Sequence, residues 1–495
     1  LSAVGGGNAG HELFCGTSGQ TSLSIWNMTT SELILQLCEN KSMAVGVQYT
    51  FEFSIMNPTQ DQESPNIMIE ARGRVVNIEF SPMTKSDAAL LDVEGGASPL
   101  KVVVPLLTTK TIAQSTPIAG VINMISLTLS CNLQLRVPLS ISVSGLSGAS
   151  FGSSDATVVL DGYIANSLLC GEQSGVASWS ISLCTGESIP SGSVLAVTFV
   201  VTNPLIEQIA PDITVTIQGD DFDIPSMIIE QPGDSLLGVL DGRNPMRVVI
   251  PTFSIRRLSQ SSPLIAVTNK LTLDIQTNVD IRADESSVMS LSGFTVAGST
   301  GAREISVTVS SPNEFGRTQI LDYQLFCVSA FASGVRSLGF WNSSGDISLT
   351  LCPGRKVMAH TVYTLEWTIT NSEIAQASPA ISIEADGTAR FMKLAVEKPG
   401  TDLFGVPNGA DPLLFVVPIF QTRSIVQSTL HGGALNTITV TIMTNVDLAG
   451  TNDNIMICCL SNADVNSTSL SVAVSGSGGV AAPQFCSDGG DNAGQ

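Results

Sequence analysis

The sequence predicts an all-β protein made of three tandem antiparallel β-sandwich repeats, each of about 155 residues, followed by a strand-like C-terminal tail. Three observations predict this organisation: a cysteine phrase that recurs at a nearly constant spacing, a set of turn residues that recurs with it, and an apolar pattern of period two. Because a chain made of near-copies of one unit usually acts as an array, the repeat also bears on function.

The cysteine phrase defines the repeats. It reads Glu-Leu-Phe-Cys at 12–15, Ser-Leu-Leu-Cys at 167–170 and Gln-Leu-Phe-Cys at 324–327, and Pro-Gln-Phe-Cys at 483–486 opens it a fourth time. The four cysteines are 155, 157 and 159 residues apart. We therefore predict an N-terminal segment at 1–11, sandwich repeats at 12–164, 165–320 and 321–480, and a tail at 481–495 that corresponds to the first strand of a fourth repeat.

A series of asparagine, glutamine and proline residues recurs at matching positions in each copy. The series is Asn57, Gln62, Pro65, Pro105, Gln114, Asn123 and Asn132, then Asn203, Gln208, Pro211, Pro251, Gln260, Asn269 and Asn278, then Asn371, Gln376, Pro379, Pro418, Gln427, Asn436 and Asn445. Proline cannot donate to a β-ladder and restricts the residue before it, so these positions predict strand ends and turns. The glutamines are predicted to bond loop backbone.

Between these turn residues, apolar and polar side chains alternate, as at 49–55, 213–217, 364–369 and 437–442. Alternation of β-branched and aromatic residues between turn signals predicts half-buried antiparallel strands, and no segment keeps a helical period over three turns. Each repeat is therefore predicted to be a sandwich of about eight to ten strands.

Each copy opens with a pair of cysteines, Cys15 with Cys38, Cys170 with Cys184, and Cys327 with Cys352. None of these pairs has the C-x-x-C spacing of a zinc or redox site. They predict three equivalent disulfides and an oxidising compartment, with three pairs of buried free thiols as the alternative.

A tryptophan precedes the second cysteine of each pair, at Trp26, Trp179 and Trp341. A tryptophan beside a disulfide is typical of immunoglobulin domains, whose bridge joins strands that are distant in the sequence. Here the paired cysteines are only 23, 14 and 25 residues apart. The sandwiches are therefore predicted to be Ig-like in architecture only.

Four cysteines remain outside the repeated pairs: Cys131, Cys458, Cys459 and Cys486. Cys486 stands where an opening cysteine belongs. One interpretation is a bridge from Cys486 to Cys458 or Cys459 within the chain. The other is a covalent bond to Cys131, or to another of the four, on a neighbouring molecule.

The composition excludes several classes of function. Only 13% of the residues are charged and the net charge is −21, so clustered basic residues for nucleic acid or an anionic membrane are missing. No apolar run is long enough to cross a membrane as a helix. The chain starts at Leu1 without the features of a leader, so either a signal or pro-segment has been removed or the chain is part of something longer, and we expect removal on a secretory route.

Catalytic and metal motifs find little support. His11, His360 and His431 occupy non-equivalent places, and the G-x-S-x-G, H-E-x-x-H and P-loop motifs are absent from the sequence. We predict no enzyme activity and no cofactor. The acidic stretch 220–223 is the best candidate for Ca²⁺, but it lacks the rest of an EF-hand loop, and a solvated turn is the interpretation that the residues favour.

N-glycosylation sequons occur at Asn27, Asn40, Asn342 and Asn466. Asn27 follows Trp26 and Asn342 follows Trp341, so these two occupy the same turn in two copies. We predict N-linked glycans at both, while Asn40 and Asn466 depend on the sequon alone.

Three phrases carry a resemblance to a known group. The stretches at 378–385, 436–442 and 444–450 resemble the tandem repeats of very large secreted proteins of algae and other protists. The resemblance covers all three copies and implies an extracellular, surface or filament-forming protein without active-site residues. Cys131, where the other copies have Thr277 and Thr444, departs from the pattern.

The sequence therefore predicts a structural subunit of an extracellular filament, such as a flagellar hair or surface fibre, that forms a homopolymer. The tail 481–495 is predicted to donate a strand to a sheet edge of the next subunit. The alternatives are a cell-surface adhesin or carbohydrate-binding protein, for which clustered surface aromatics would be expected, and a surface-layer protein.

Overall fold

A computed structural model describes residues 2–5, 13–16, 24–152, 156–283, 287–295, 302–312, 316–328, 336–449, 453–461, 463 and 470–476. Within them the protein is all-β, as predicted, with antiparallel pairing between its strands and one 3₁₀ turn at Asn166–Leu168. None of the described helices has the length and apolar character to cross a membrane. Asn466, Cys486 and the tail 481–495 lie outside the described residues.

The strands form two complete sandwiches, at 107–249 and 253–416, with an incomplete unit on either side. We call residues 13–104, together with the strand at 2–5, the N-terminal half-unit. Its strands are β1 Ser2–Gly5, β2 Ile25–Asn27, β3 Glu32–Ile34, β4 Tyr49–Glu52, β5 Met68–Arg72 and β6 Asn77–Pro82. They form three separate pairs, β1 with β4, β2 with β3, and β5 with β6.

The first complete sandwich contains thirteen strands. They are β7 Leu107–Gln114, β8 Ile122–Cys131, β9 Leu135–Arg136, β10 Leu139–Ser144, β11 Ser150–Phe151, β12 Thr157–Leu160, β13 Tyr163–Ile164, β14 Leu169–Gly175, β15 Ser178–Leu183, β16 Ser188–Ile189, β17 Leu195–Thr202, β18 Thr214–Gly219 and β19 Ile224–Ile228. One sheet has the order β13-β12-β17-β8-β7, with β11 also on β17, and the other has the order β14-β15-β10-β18-β19. Strands β9 and β16 pair separately.

The second complete sandwich repeats this plan. Its strands are β20 Phe253–Gln260, β21 Thr268–Thr277, β22 Ile281–Arg282, β23 Val288–Ser292, β24 Arg303–Pro312, β25 Thr318–Ile320, β26 Ser337–Trp341, β27 Ile347–Thr350, β28 Lys356–Val357, β29 Tyr363–Thr370, β30 Ser382–Asp386 and β31 Phe391–Ala395. The layer β20-β21-β29 is joined to the layer β26-β27-β23-β30-β31 by the long strand β24, which pairs with both β29 and β26.

The C-terminal half-unit, residues 420–476, contains the hairpin of β32 Phe420–Gln427 and β33 Ile438–Thr444. This hairpin corresponds to β7-β8 and to β20-β21. In the complete sandwiches, the second strand of each hairpin also pairs with a strand from later in the chain, β8 with β17 and β21 with β29.

Alternating side chains build the two cores. In β17 and β29 every second residue points inward and is buried, as the period of two predicts. Trp179 stacks on Phe199 at 4.2 Å between ring centroids, and Phe294 meets Trp341 edge-on at 5.6 Å. Each fully buried side chain of this size contributes about 1.5–3 kcal/mol through removal of apolar surface from water.

The packing units are offset from the sequence repeats. In the first complete sandwich, β7–β13 come from the copy at 12–164 and β14–β19 from the copy at 165–320. In the second, β20–β25 come from 165–320 and β26–β31 from 321–480. The boundaries at 12–164, 165–320 and 321–480 therefore mark the sequence period, while each core is completed by the next copy.

Candidate assembly sites: disulfides, junctions and open faces

The three cysteine pairs predicted from the sequence are bonded. The Cα atoms are 4.9 Å apart in Cys15–Cys38, 5.2 Å in Cys170–Cys184 and 5.1 Å in Cys327–Cys352. In the first sandwich the bond joins the two strands of the β14-β15 hairpin region, since Cys170 lies in β14 and Cys184 follows β15. The Cys170–Cys184 disulfide therefore fixes the edge strand β14 to β15.

A buried amide network explains the recurring asparagines and glutamines. Asn123 donates to Gln114 Oε1 and Asn203 Oδ1, both at 2.8 Å. Asn269 donates in the same way to Gln260 Oε1 at 3.0 Å and Asn371 Oδ1 at 2.9 Å. In both sandwiches the network ties the hairpin to the strand that pairs with it.

The glutamines of this network bond loop backbone, as predicted. Gln114 Nε2 donates to the carbonyls of Gly242 and Arg247, at 2.8 and 2.9 Å. Gln260 Nε2 donates to the equivalent carbonyls of Gly409 and Leu414, at 2.9 and 3.0 Å. The loop before each linker is therefore fixed to the first hairpin of its own unit.

A second set of asparagines clamps the linkers between units. Asn278 Nδ2 donates to the Ile250 carbonyl and Asn278 Oδ1 accepts from the Thr252 amide, both at 2.8 Å, so the residues on either side of Pro251 are held. Asn132 holds Val104 and Leu106 around Pro105. Asn445 holds Val417 and Ile419 around Pro418. The recurring prolines thus mark the boundaries between packing units.

A backbone hydrogen bond across each linker also recurs. The amides of Gln134, Asp280 and Asp447 donate to the carbonyls of Leu91, Leu237 and Phe404, at 3.0, 2.8 and 2.9 Å. All three acceptor residues have positive φ, between 52° and 53°, which side chains of this size rarely adopt unless the surrounding structure imposes it. At the middle junction Leu237 and Val239 are buried in the core of the second sandwich. We call each of these three repeated contacts a junction.

Replacing Asn278 with alanine is expected to loosen the middle junction. Two hydrogen bonds to the linker backbone are lost, which corresponds to about 1–3 kcal/mol. Limited proteolysis should then cut near Pro251 faster, and Arg390→Ala, an exposed change in the second sandwich, serves as the control. Equal cleavage rates in the two variants would show that Asn278 does not hold the linker.

The acidic stretch 220–223 is occupied by structural contacts. Arg136 forms a two-pronged ion pair with Asp221, at 2.9 and 3.1 Å, and the Gly219 amide donates to Asp223 Oδ1. Among the described residues, no group of three or more His, Cys, Asp or Glu side chains is arranged to hold a metal ion. Asp221 and Asp223 therefore make structural contacts beside β18.

The first sandwich has an open depression of about 540 Å³. Two of the polar residues that line it are already engaged. Arg247 donates to the Gln208 carbonyl at 3.0 Å, and Asn244 Oδ1 accepts from the Gly233 amide at 2.8 Å. Those side chains support the loop backbone.

The sequons at Asn27 and Asn342 lie in matching turns, as expected. Asn27 Oδ1 accepts from the Thr29 amide, and Asn342 Oδ1 accepts from the Ser344 amide. Both side chains are partly exposed, and Asn40 is exposed. Glycosylation at these positions remains a prediction.

The three free cysteines among the described residues lie in two environments. Cys131 lies in the core of the first sandwich, and burial raises the pKa of its thiol, which keeps it protonated and weakly nucleophilic. A bond from Cys131 to a neighbouring molecule would require this sandwich to open. Cys458 and Cys459 are exposed, with their Sγ atoms 3.4 Å apart.

The C-terminal half-unit exposes residues that the complete sandwiches bury. Ile438 is 44% exposed, whereas Ile125 and Leu271 at the same sheet position are fully buried. The same holds for other inward positions of the hairpin, Ile425, Val440 and Ile442. We call these four residues the C-terminal open face.

The N-terminal half-unit exposes the complementary part of the core. Trp26 is 46% exposed, whereas Trp179 and Trp341 at the equivalent position are 1% and 3% exposed. Four further inward positions of this half-unit are exposed although their equivalents in the complete sandwiches are buried: Phe53, Ile55, Ile69 and Ile78. Together with Trp26 they form the N-terminal open face.

The fold and these sites define an all-β tandem array of disulfide-stapled sandwiches. No protein-family model matches the chain, and no curated protein sequence matches it. Among solved structures, the chain is similar to the C-terminal domain of the AgI/II polypeptide BspA of Streptococcus agalactiae, with 6% identity and a TM-score of 0.35, over 59% of this chain and 99% of that one.

Two other similar structures are the pilus backbone RrgB of Streptococcus pneumoniae and the collagen adhesin CNA of S. aureus. The first has 8% identity and a TM-score of 0.17, over 58% of each chain. The second has 9% identity and a TM-score of 0.14, over 59% of this chain and 92% of that one. At such values the likeness assigns neither a family nor a function, and the resemblance to algal and protist repeats stays a prediction.

Proposed function

We propose that this chain is a structural subunit of an extracellular, glycosylated filament or surface fibre that polymerises with further copies of itself. The observation that supports the proposal best is the junction, which the chain forms three times with the same hydrogen bonds. Clamped linkers and shared apolar contacts hold each unit against the next, so load on one unit passes to its neighbour through backbone and packed side chains.

The surface chemistry supports the location. Three disulfides are typical of secreted or surface proteins, because cytosolic thiols are kept reduced. Exposed or partly exposed sequons at Asn27 and Asn342 are accessible to N-linked glycans. The proposed partners are copies of the chain and glycans, and the proposal includes no catalytic step, cofactor, nucleic acid or membrane insertion.

Negative-stain electron microscopy of the chain, secreted from a glycosylating host, tests this function. We expect linear polymers, and a loss of mass on treatment with an N-glycosidase that is smaller in the Asn27→Gln, Asn342→Gln variant. Particles that remain single at all concentrations, together with a defined specificity on a glycan array, would instead favour the adhesin or carbohydrate-binding alternative. A flat lattice would identify a surface-layer protein.

A further inference from the structure

We infer that the N-terminal half-unit of one chain and the C-terminal half-unit of a second copy complete each other as a sandwich with the plan of 107–249 and 253–416. The inference deepens the proposed function, because it names the partner surface and the strand register by which copies join. Its basis is the complementarity of the two open faces, which carry the two parts of one core.

The free strand edges match. Within the described residues, β33 pairs only with β32, and β4 pairs only with β1. Strand β1 precedes Cys15 as β12 precedes Cys170 and β24 precedes Cys327, so it occupies the edge of β4 that corresponds to the β12 side of β17. The edge left open on β4 is then the one that corresponds to the β8 side of β17. That edge is where β33 of a second copy fits.

The complete sandwiches fix the register of this contact. Strand β17 pairs Leu195 with Leu129, Val197 with Leu127 and Phe199 with Ile125, and β29 pairs with β21 in the same alignment. Transferred to the half-units, this alignment places Tyr49 opposite Ile442, Phe51 opposite Val440, and Phe53 opposite Ile438. These three inward pairs are all apolar, so the shared core would be continuous along them.

The amide network provides an independent match. In the C-terminal half-unit, Asn436 already donates to Gln427 Oε1 at 3.0 Å, as Asn123 does to Gln114. The third member, equivalent to Asn203 and Asn371, is the exposed Asn57 of the N-terminal half-unit. A second copy would bring Asn57 to Asn436 and complete the network.

The loop that would receive Gln427 is already shaped for it. Leu100 has a φ of 60°, close to 61° at Met246 and 57° at Leu413, whose amides donate to Gln114 and Gln260 in the complete sandwiches. Gln62 holds the Leu100 carbonyl at 2.6 Å, as Gln208 holds that of Met246. Binding would therefore need little rearrangement, which lowers its entropic cost. A head-to-tail contact of this kind is heterologous and can propagate.

Cysteine cross-linking between two single variants tests the register. Glu52 and Thr439 correspond to Thr198 and Ser126, whose hydroxyl oxygens are 3.3 Å apart on the outer face. Glu52→Cys and Thr439→Cys chains, each also carrying Cys458→Ser, Cys459→Ser and Cys486→Ser, are mixed and oxidised, and disulfide-linked dimers are measured on a non-reducing gel. Because each chain carries one engineered thiol, a linked dimer can arise only between copies.

The matched control replaces Thr439→Cys with Val426→Cys, which lies beside Thr439 on the far strand of the same hairpin. It would be two strand spacings from β4, about 10 Å, beyond the reach of a disulfide. We expect about tenfold more dimer with Thr439→Cys than with Val426→Cys, and loss of the difference when Phe53→Asp is added to the Glu52→Cys chain. Circular dichroism checks that each variant is folded.

The inference would be overturned if no dimer formed, or if the Thr439→Cys and Val426→Cys chains gave equal amounts of dimer. A chain whose two half-units pair with each other would give no dimer and would overturn it as well. Filaments without this cross-link would overturn the proposed contact between half-units and leave the fibre proposal intact. The cross-link in dimers that never extend would support the contact between half-units and count against the fibre. The cross-link is also expected to form in chains that lack residues 481–495. This deletion distinguishes the contact between half-units from strand donation by the tail.

Discussion

Trp179→Ala is expected to lower the free energy of unfolding of the first complete sandwich by about 3–5 kcal/mol, the cost of removing a large aromatic side chain from a packed core. Trp179 is 1% exposed, stacks on Phe199, and its indole N–H donates to Glu172 at 2.6 Å. The truncation would leave a cavity between the two sheets and remove one hydrogen bond to Glu172, which still accepts from the Ala156 amide. Denaturant unfolding followed by intrinsic fluorescence measures the change.

Trp26→Ala is the matched control, because Trp26 occupies the same position in the N-terminal half-unit and is 46% exposed. In the single chain it should change the free energy of unfolding by less than about 1 kcal/mol. Its effect should appear only where copies associate, as a weaker contact between half-units. Equal destabilisation by the two changes in single chains would mean that the N-terminal face is already covered.

The sequence predicts the fold class and the repeated residues because both depend on local spacing. The period of two that buries alternate residues of β17 and β29 is readable from side-chain types alone. The cysteine pairs could be predicted by aligning the three repeats, because cysteines at equivalent positions of near-copies bond to equivalent partners. The glutamines bond loop carbonyls as expected.

The sequence does not fix where a packing unit begins, because a periodic sequence can be divided at any point in its period. The cysteine phrase draws attention to residue 12, whereas the linker at Pro105 and its clamp by Asn132 define the unit. The signal was present in the recurring Pro105, Pro251 and Pro418. The positive φ of Leu91, Leu237 and Phe404 could not be predicted from the sequence, because leucine and phenylalanine are not residue types that favour this backbone conformation.

The offset between period and packing unit has a consequence for assembly. Since each sandwich takes strands from two successive copies, a stretch of the array whose two ends both fall within a unit presents an N-terminal open face and a C-terminal open face. The two faces are complementary because both derive from the same unit. Head-to-tail joining then requires no surface beyond the one that already closes 107–249 and 253–416.

Asn269→Ala is expected to destabilise the second complete sandwich by about 3 kcal/mol or more. Asn269 is fully buried, donates to Gln260 and Asn371, and accepts from the Ser261 and Ser262 amides at 3.0 and 3.1 Å. Alanine removes the partner of Asn371 Oδ1 and of the Ser262 N–H, and each buried donor or acceptor left unpaired costs about 1–3 kcal/mol. Gln260 still accepts from the Leu413 amide, and the Ser261 amide still donates to the Lys270 carbonyl. Denaturant unfolding of the whole chain measures the loss.

Asn436→Ala provides the comparison, because Asn436 makes the equivalent bonds to Gln427 and Ser428 on an exposed hairpin, where water can replace them. The single chain should therefore unfold almost as the unchanged protein does. In mixtures that form the cross-link between Glu52→Cys and Thr439→Cys, Asn436→Ala should reduce the dimer, since the amide would then be buried against Asn57. A large loss of stability in single chains would contradict an exposed hairpin, and an unchanged dimer would contradict a shared amide network.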